Sequence, residues 1–185
     1  ALFFRLQDDS ASACAQLSAC LTLAEQWAGV SQEPVAIPCM EESVLSFLRS
    51  CEVLTSDWKQ MLEQAVNAPE PENLLAYTPA LDQEIRLFTM DMLYRYYLRA
   101  AYAETPEAEI LPLQMAAFSV CVVLLYSRRL GFHTAEQRLR IWQLFVKEIE
   151  YDENNLEELE WQLETNAAFS PAAFRAYFAS PGGVQ

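Results

Sequence analysis

The sequence predicts an all-α fold, a single-domain bundle of seven or eight helices around a central apolar helix. Three observations carry that reading. Apolar residues recur at helical spacing along most of the chain, and no stretch alternates as a half-buried strand would. Only four glycines interrupt 185 residues, and the nine prolines fall mainly between the periodic segments. The third observation is the stretch from Leu111 to Leu130, which between Met115 and Tyr126 holds no charge, no glycine and no proline. An element apolar on every side must be covered on every side. A membrane span needs about 20 uninterrupted apolar residues, whereas a run of about 10–14 reads as a buried core helix. Pro112 suits a first-turn position, Arg128 and Arg129 complement the C-terminal dipole, and Gly131 supplies a left-handed cap.

Taken in order, Leu2, Phe3, Phe4 and Leu6 form a short apolar lead-in. Ser10 is the expected N-cap of a first helix ending near Ala28, with Cys14, Leu17, Leu21, Ala24 and Trp27 or Ala28 on its inner stripe and Gly29 as its stop. Residues 30–38, with two prolines, read as a loop. A short helix from about Cys39 to Cys51 turns Val44, Phe47 and Leu48 inward. Thr55 or Ser56 caps the next, which carries Trp58, Met61, Leu62, Ala65 and Val66. Residues 68–79 hold three prolines and two glutamates and form the one loop long enough to be a seam. Fewer than 70 residues precede it, too few for a comfortable core of their own, so one domain over 1–185 is expected.

The longest helix is expected from about Ala80 to Ala103, with Leu81, Ile85, Phe88, Met92 and Leu98 among its apolar positions. Thr105-Pro106 with Glu107 and Glu109 makes a surface turn into the central helix. Thr134-Ala-Glu-Gln137 fits a capping box and opens a helix with Leu139, Trp142, Phe145, Val146 and Ile149 inward. Asn155-Leu-Glu-Glu158 fits the same box more loosely, ahead of Leu156, Leu159 and Leu163. Ser170-Pro171 is an N-cap followed by an N1 proline, and the last helix presents Phe174, Tyr177 and Phe178.

A formal net charge of −14 argues against nonspecific binding to nucleic acid or to an anionic membrane, since both are polyanions. Cysteines 14, 20, 39, 51 and 121 form no CxxC and no Cys/His pair. Such an odd set within helical patterns reads as reduced thiols of a cytoplasmic protein. Cys14 and Cys20 lie about 600° apart around a helix and do not share a face. No metal or cofactor site is expected from this chain. The chain begins at Ala1 in mid-pattern, which suggests that a natural segment precedes it.

Nucleotide, P-loop, metalloprotease and serine-hydrolase motifs are absent from the sequence. The single histidine, His133, sits in the turn after Gly131 and suits a loop or capping role. Two stretches stand out. In Leu93-Tyr-Arg-Tyr-Tyr-Leu-Arg99, tyrosines at successive positions surround Arg95 with aromatic surface, either as a polar cluster lining a groove or as the rim of a large core helix. Between Lys147 and Glu164 there are eight acidic residues and one basic one. That face could steer a lysine-bearing partner, or simply be a solvated helix side. Glu148 and Glu150 are two positions apart, so they do not form a carboxylate pair on one helical face. Arg95 in its aromatic setting needs a carboxylate, and Glu150 or Glu148 is the expected partner.

Tyr94-Arg-Tyr-Tyr-Leu-Arg-Ala100, the apolar central helix, Lys147-Glu-Ile-Glu-Tyr-Asp-Glu-Asn-Asn-Leu-Glu157 and the block from Leu45 to Leu62 resemble, in order and spacing, the C-terminal half of the bacterial flagellin lysine-N-methylase family. The resemblance implies a protein-lysine N-methyltransferase that uses S-adenosylmethionine, with an iron–sulfur centre held by clustered cysteines of an N-terminal region. Nothing in this chain matches that region. The resemblance therefore implies membership for the chain, and neither cofactor nor activity for this part alone. Tyr94, Arg95, Glu148, Glu150, Asn154 and Asn155 are the candidate polar cluster. The expected role is a scaffold or substrate-recognition domain whose partner is a missing N-terminal domain or a flagellin-like protein. The alternative is a stand-alone helical domain for protein interaction or small-molecule binding.

Overall fold

The computed structural model describes residues 11–29, 39–69, 75–101 and 110–180, with the backbone alone described for 98–101. The fold is all-α. Its helices are α1 (Ala13–Ala28), α2 (Met40–Ser50), α3 (Ser56–Asn67), α4 (Pro79–Ala101), α5 (Ile110–Leu130), α6 (Ala135–Phe145), α7 (Glu153–Thr165) and α8 (Pro171–Ala179). A π-helical turn, Val146–Glu150, continues α6, and a short 3₁₀ turn, Ala167–Phe169, precedes α8. Among the described residues there is no strand.

Helix α5 is the axis. Every residue from Pro112 to Ser127 is buried, and the helix packs against α1, α2, α3, α4, α6, α7 and α8. By length and hydropathy α5 matches a membrane-crossing helix, yet 94% of its most apolar stretch is buried within the fold. Helices in water are stabilised chiefly by such packing, and the apolar core is continuous from Ala13 to Phe178. Two polar side chains of α5 find partners inside: the Gln114 amide donates to the carbonyls of Leu163 (2.8 Å) and Phe169 (2.9 Å), and the Ser119 hydroxyl to that of Ala116 (2.8 Å). Phe118 meets Phe47 and Phe169 edge-on, with centroids 5.4 and 5.2 Å apart, tying α5 to α2 and the 3₁₀ turn.

Local capping signals translate directly. Thr55 caps α3 through its hydroxyl, Thr134 and Gln137 form the capping box of α6, and Ser170 with Pro171 opens α8. Gly29 and Gly131 end α1 and α5 at φ 67° and 65°, where a β-carbon would be strained.

Several expectations need correction. The N-cap of α1 is Ser12, whose hydroxyl takes the Ala15 N–H; Ser10 lies outside the described residues, as do the lead-in 2–6, the loop 30–38 and the turn 105–109. Of the two alternatives ending the α1 stripe, Ala28 packs on the core and Trp27 (53% exposed) points outward, as does Leu139 (45%) against its inward reading. Each lies at the edge of its stripe, where helical spacing alone does not fix direction. The cap of α7 is Asp152, which receives the Asn155 N–H, so the Asn155 box does not form. Thr78 stands at the start of α4, its hydroxyl accepting from the Leu81 N–H.

Candidate functional site

The two family-like stretches meet. On α4, Arg95 reaches Glu150 of the π turn, Nη1 to Oε2 at 2.8 Å, and its other terminal nitrogen lies 2.8 Å from Asp91 one turn back. Glu150 has 6% of its side chain exposed and Arg95 36%, so the pair straddles the boundary of the core. Burial raises the Glu150 carboxyl above its ordinary value against the opposing charge of Arg95, and burial together with the Glu150 charge pushes the Tyr96 hydroxyl up. For Arg95 burial works downward, but Glu150 and Asp91 outweigh it and hold the guanidinium firmly charged.

The two glutamates both lie in the π turn and point to different neighbours. Its i→i+5 hydrogen bonding widens the last turn of the α6 segment. Glu150 is delivered to α4, while Glu148 enters the core and is fully buried. There its carboxylate accepts the Leu54 N–H (2.7 Å) and the Thr55 hydroxyl at the start of α3. Asn155, 3% exposed, completes a clamp on the same segment. Its carbonyl accepts the Glu52 N–H, and its amide donates to the carbonyls of Glu52 and Glu148, each at 2.8 Å.

The six candidate residues thus form two units and leave one apart. Arg95 and Glu150 make a rim bridge, with Tyr94 beside it and 75% exposed. Glu148 and Asn155 are a buried clamp on residues 52–55, a structural use of motif residues that offers no free group for chemistry. Asn154 is exposed and takes no part in the clamp.

Exposed aromatic side chains stand among the acidic residues of 147–164, a stretch that the sequence marks only by its charge. Tyr151, next to Glu150, is 78% exposed, and Trp161 on α7 is also exposed. Trp161 shares a helical face with Glu157 and Glu164, four residues before and three after, both exposed. Glu160 on the adjoining face bears on Tyr96 of α4. An indole flanked by carboxylates combines a π-face with negative charge, the pairing that recognises ammonium groups. The available signal was Trp161 itself, which lies off the Leu156, Leu159 and Leu163 stripe.

Four of the five thiols are buried. Cys14, Cys20, Cys51 and Cys121 lie inside, Cys39 is exposed, and none of them is in a disulfide. Burial pushes the Cys14 and Cys51 thiols up to about 12, so neither supplies thiolate at neutral pH. Among the described residues no group of three His, Cys, Asp or Glu side chains converges as metal ligands. His133 serves the turn, its N–H donating to Gln137 Oε1 at 3.0 Å.

Comparison with protein-family models, with curated proteins and with solved structures found no match to this chain.

Proposed function

We propose that the chain is a helical C-terminal domain of a lysine-N-methylase-like protein, serving as scaffold and substrate-recognition element for a catalytic part carried on other residues. One observation supports this above the rest. The bridge between Arg95 and Glu150 joins the two family-like stretches; their chain neighbours Tyr94 and Tyr151 are exposed, as is Trp161 among the carboxylates of α7. Such a face suits a lysine-bearing protein segment, and a flagellin-like protein is the partner that the resemblance suggests. The buried clamp of Glu148 and Asn155 fits the scaffold half of the role, because it fixes the π turn that carries the bridge.

The test is titration of the chain with a lysine-rich peptide and with its fully acetylated counterpart, followed by tryptophan fluorescence. Binding of the charged peptide alone, weakened by Trp161→Ala, supports the reading. Equal binding of both peptides, or indifference to Trp161→Ala, defeats it.

A second reading, a small-molecule-binding domain, is favoured by a cleft between α2 and the C-terminal end of α7, lined in part by Gln162.

A further inference from the structure

Among the described residues, a half-open cleft of about 350 Å³ lies between α2 and the C-terminal end of α7. Its α2 wall is a polar stripe of Glu42, Ser43, Ser46 and Ser50, and Gln162 and Asn166 form the other side. Phe47 and Phe169 close the bottom. The volume falls within the range of small-ligand sites.

What a ligand meets here is set by the hydrogen bonds already made and by the charge of the lining. The Ser43 hydroxyl donates to the Cys39 carbonyl (3.1 Å) and the Ser50 hydroxyl to that of Phe47 (2.7 Å). Gln162 spends an amide N–H on Glu158 (3.0 Å), and Asn166 spends one on Gln162 Oε1 (2.9 Å). The two serine hydroxyls and one N–H of each amide are thus used within the protein, both amide oxygens already accept, and the one charged side chain on the lining is the Glu42 carboxylate. No lysine or arginine lines it. The C-terminal end of α7 adds partial negative charge at Asn166. From Ser43 to Ser50 the acceptors run along about 10 Å of helix. Glu42, the absence of a lining cation and the length of the stripe favour a ligand with positive charge and a narrow extended shape.

We propose that this cleft binds a linear aliphatic polyamine, its ammonium groups lying along the α2 stripe against Glu42 and the serine oxygens. This goes beyond the recognition role above and uses a different face of α7, so its failure leaves that role untouched.

The test is calorimetric titration of the whole chain with spermidine, with hexane-1,6-diol and with magnesium chloride at matched ionic strength. Spermidine is expected to bind saturably at one site, with no saturable heat from the diol or from magnesium. Glu42→Gln should weaken spermidine about fivefold, the scale of one partly exposed charge. Ser46→Arg, which places a cation and bulk in the cleft from an exposed position, should weaken it at least tenfold. Glu136→Gln removes the same charge from an exposed position on α6, outside both faces, and should change affinity less than twofold. Absence of saturable spermidine binding, equal response to the diol or magnesium, or equal loss in Glu136→Gln and Glu42→Gln would overturn the assignment. If Ser46→Arg does not fold, the comparison of the two glutamate variants decides alone.

Discussion

Arg95 of α4 and Glu150 of the π turn, fifty-five positions apart in the chain, meet at 2.8 Å with the carboxylate buried and the guanidinium partly in solvent. The asymmetry decides what each side chain contributes. Glu150 carries the larger burial cost, and Arg95 offsets part of it while keeping contact with water and Asp91. Arg95→Ala strands the buried carboxylate and should lower unfolding free energy by about 1–3 kcal/mol, below the loss for a fully buried pair because Arg95 is partly screened. Glu150→Gln removes the costly charge and should fall within about 1 kcal/mol of the parent. Urea denaturation of both variants checks the order, and a larger loss in Glu150→Gln would contradict it.

The same bridge sets a pH dependence. Burial, countered by Arg95, leaves the Glu150 carboxyl raised above its ordinary value. A carboxyl whose folded pKa is raised stabilises the fold below its unfolded pKa, and that contribution is lost as pH rises through the folded value. Removing Arg95 raises the carboxyl further. The deficit of Arg95→Ala should therefore be small near pH 4 and grow toward pH 7, measured as the difference in urea midpoint from the parent. A deficit constant with pH would mean that lost packing, and not stranded charge, is responsible.

Asp82 behaves in the opposite sense. Burial works to raise it, but the hydroxyl of Tyr77, the N–H of Ala13 and the guanidinium of Arg86 outweigh burial and hold it below its ordinary value. A depressed carboxyl stabilises the fold above its unfolded pKa and loses that contribution as pH falls through the folded one. Acidification below about pH 4 should therefore loosen α1 from α4. Amide exchange of α1 should accelerate there first, and Asp82→Asn should make α1 exchange fast at neutral pH as well.

How much of this was legible in the sequence depends on the range of the interactions involved. Thr55, Thr134 with Gln137, Ser170 with Pro171, and Gly131 act on groups within about four residues, so their spelling is enough. The charge-free run of α5 was equally plain, because an all-apolar helix has no side to leave in water. Arg95 and Glu150 could be joined by reasoning that a guanidinium among aromatics needs a carboxylate. The π turn could not be read, since one extra residue per turn leaves little trace in apolar spacing. Asn155 could not be read either: its partner Glu52 is 103 positions away, so its local spelling suggested a cap.

Two leucines measure the core directly. Leu124 on α5 is 1% exposed, whereas Leu139 on α6 is 45% exposed despite an inward reading from its spacing. Leu124→Ala should cost about 2–5 kcal/mol through lost transfer energy and the cavity left behind. Leu139→Ala should stay within about 0.5 kcal/mol. Denaturant midpoints report both, and a loss under about 1 kcal/mol at Leu124 would move α5 to the surface.

Asn154 and Asn155 provide the sharpest contrast, because adjacent residues of one type occupy opposite environments. Asn155 lies in the core, with its amide bonded to both backbone groups of Glu52 and to the Glu148 carbonyl. Asn155→Ala removes all three bonds and leaves buried backbone groups without partners, each costing about 1–3 kcal/mol when unsatisfied. Water entering the vacated space recovers part of that, so a net loss of about 2–4 kcal/mol is expected. Asn155→Asp preserves shape but turns an amide donor into an acceptor facing two carbonyls, and should be no milder. Asn154→Ala, at the exposed neighbour, should change stability by less than about 0.5 kcal/mol. Amide exchange separates the clamp from a general loss of stability. The Glu52 and Leu54 N–H groups, held by Asn155 and Glu148, should lose protection in Asn155→Ala well before the amides of α5. Uniform loss across 52–55 and α5 would show that Asn155 supports the whole fold rather than this segment.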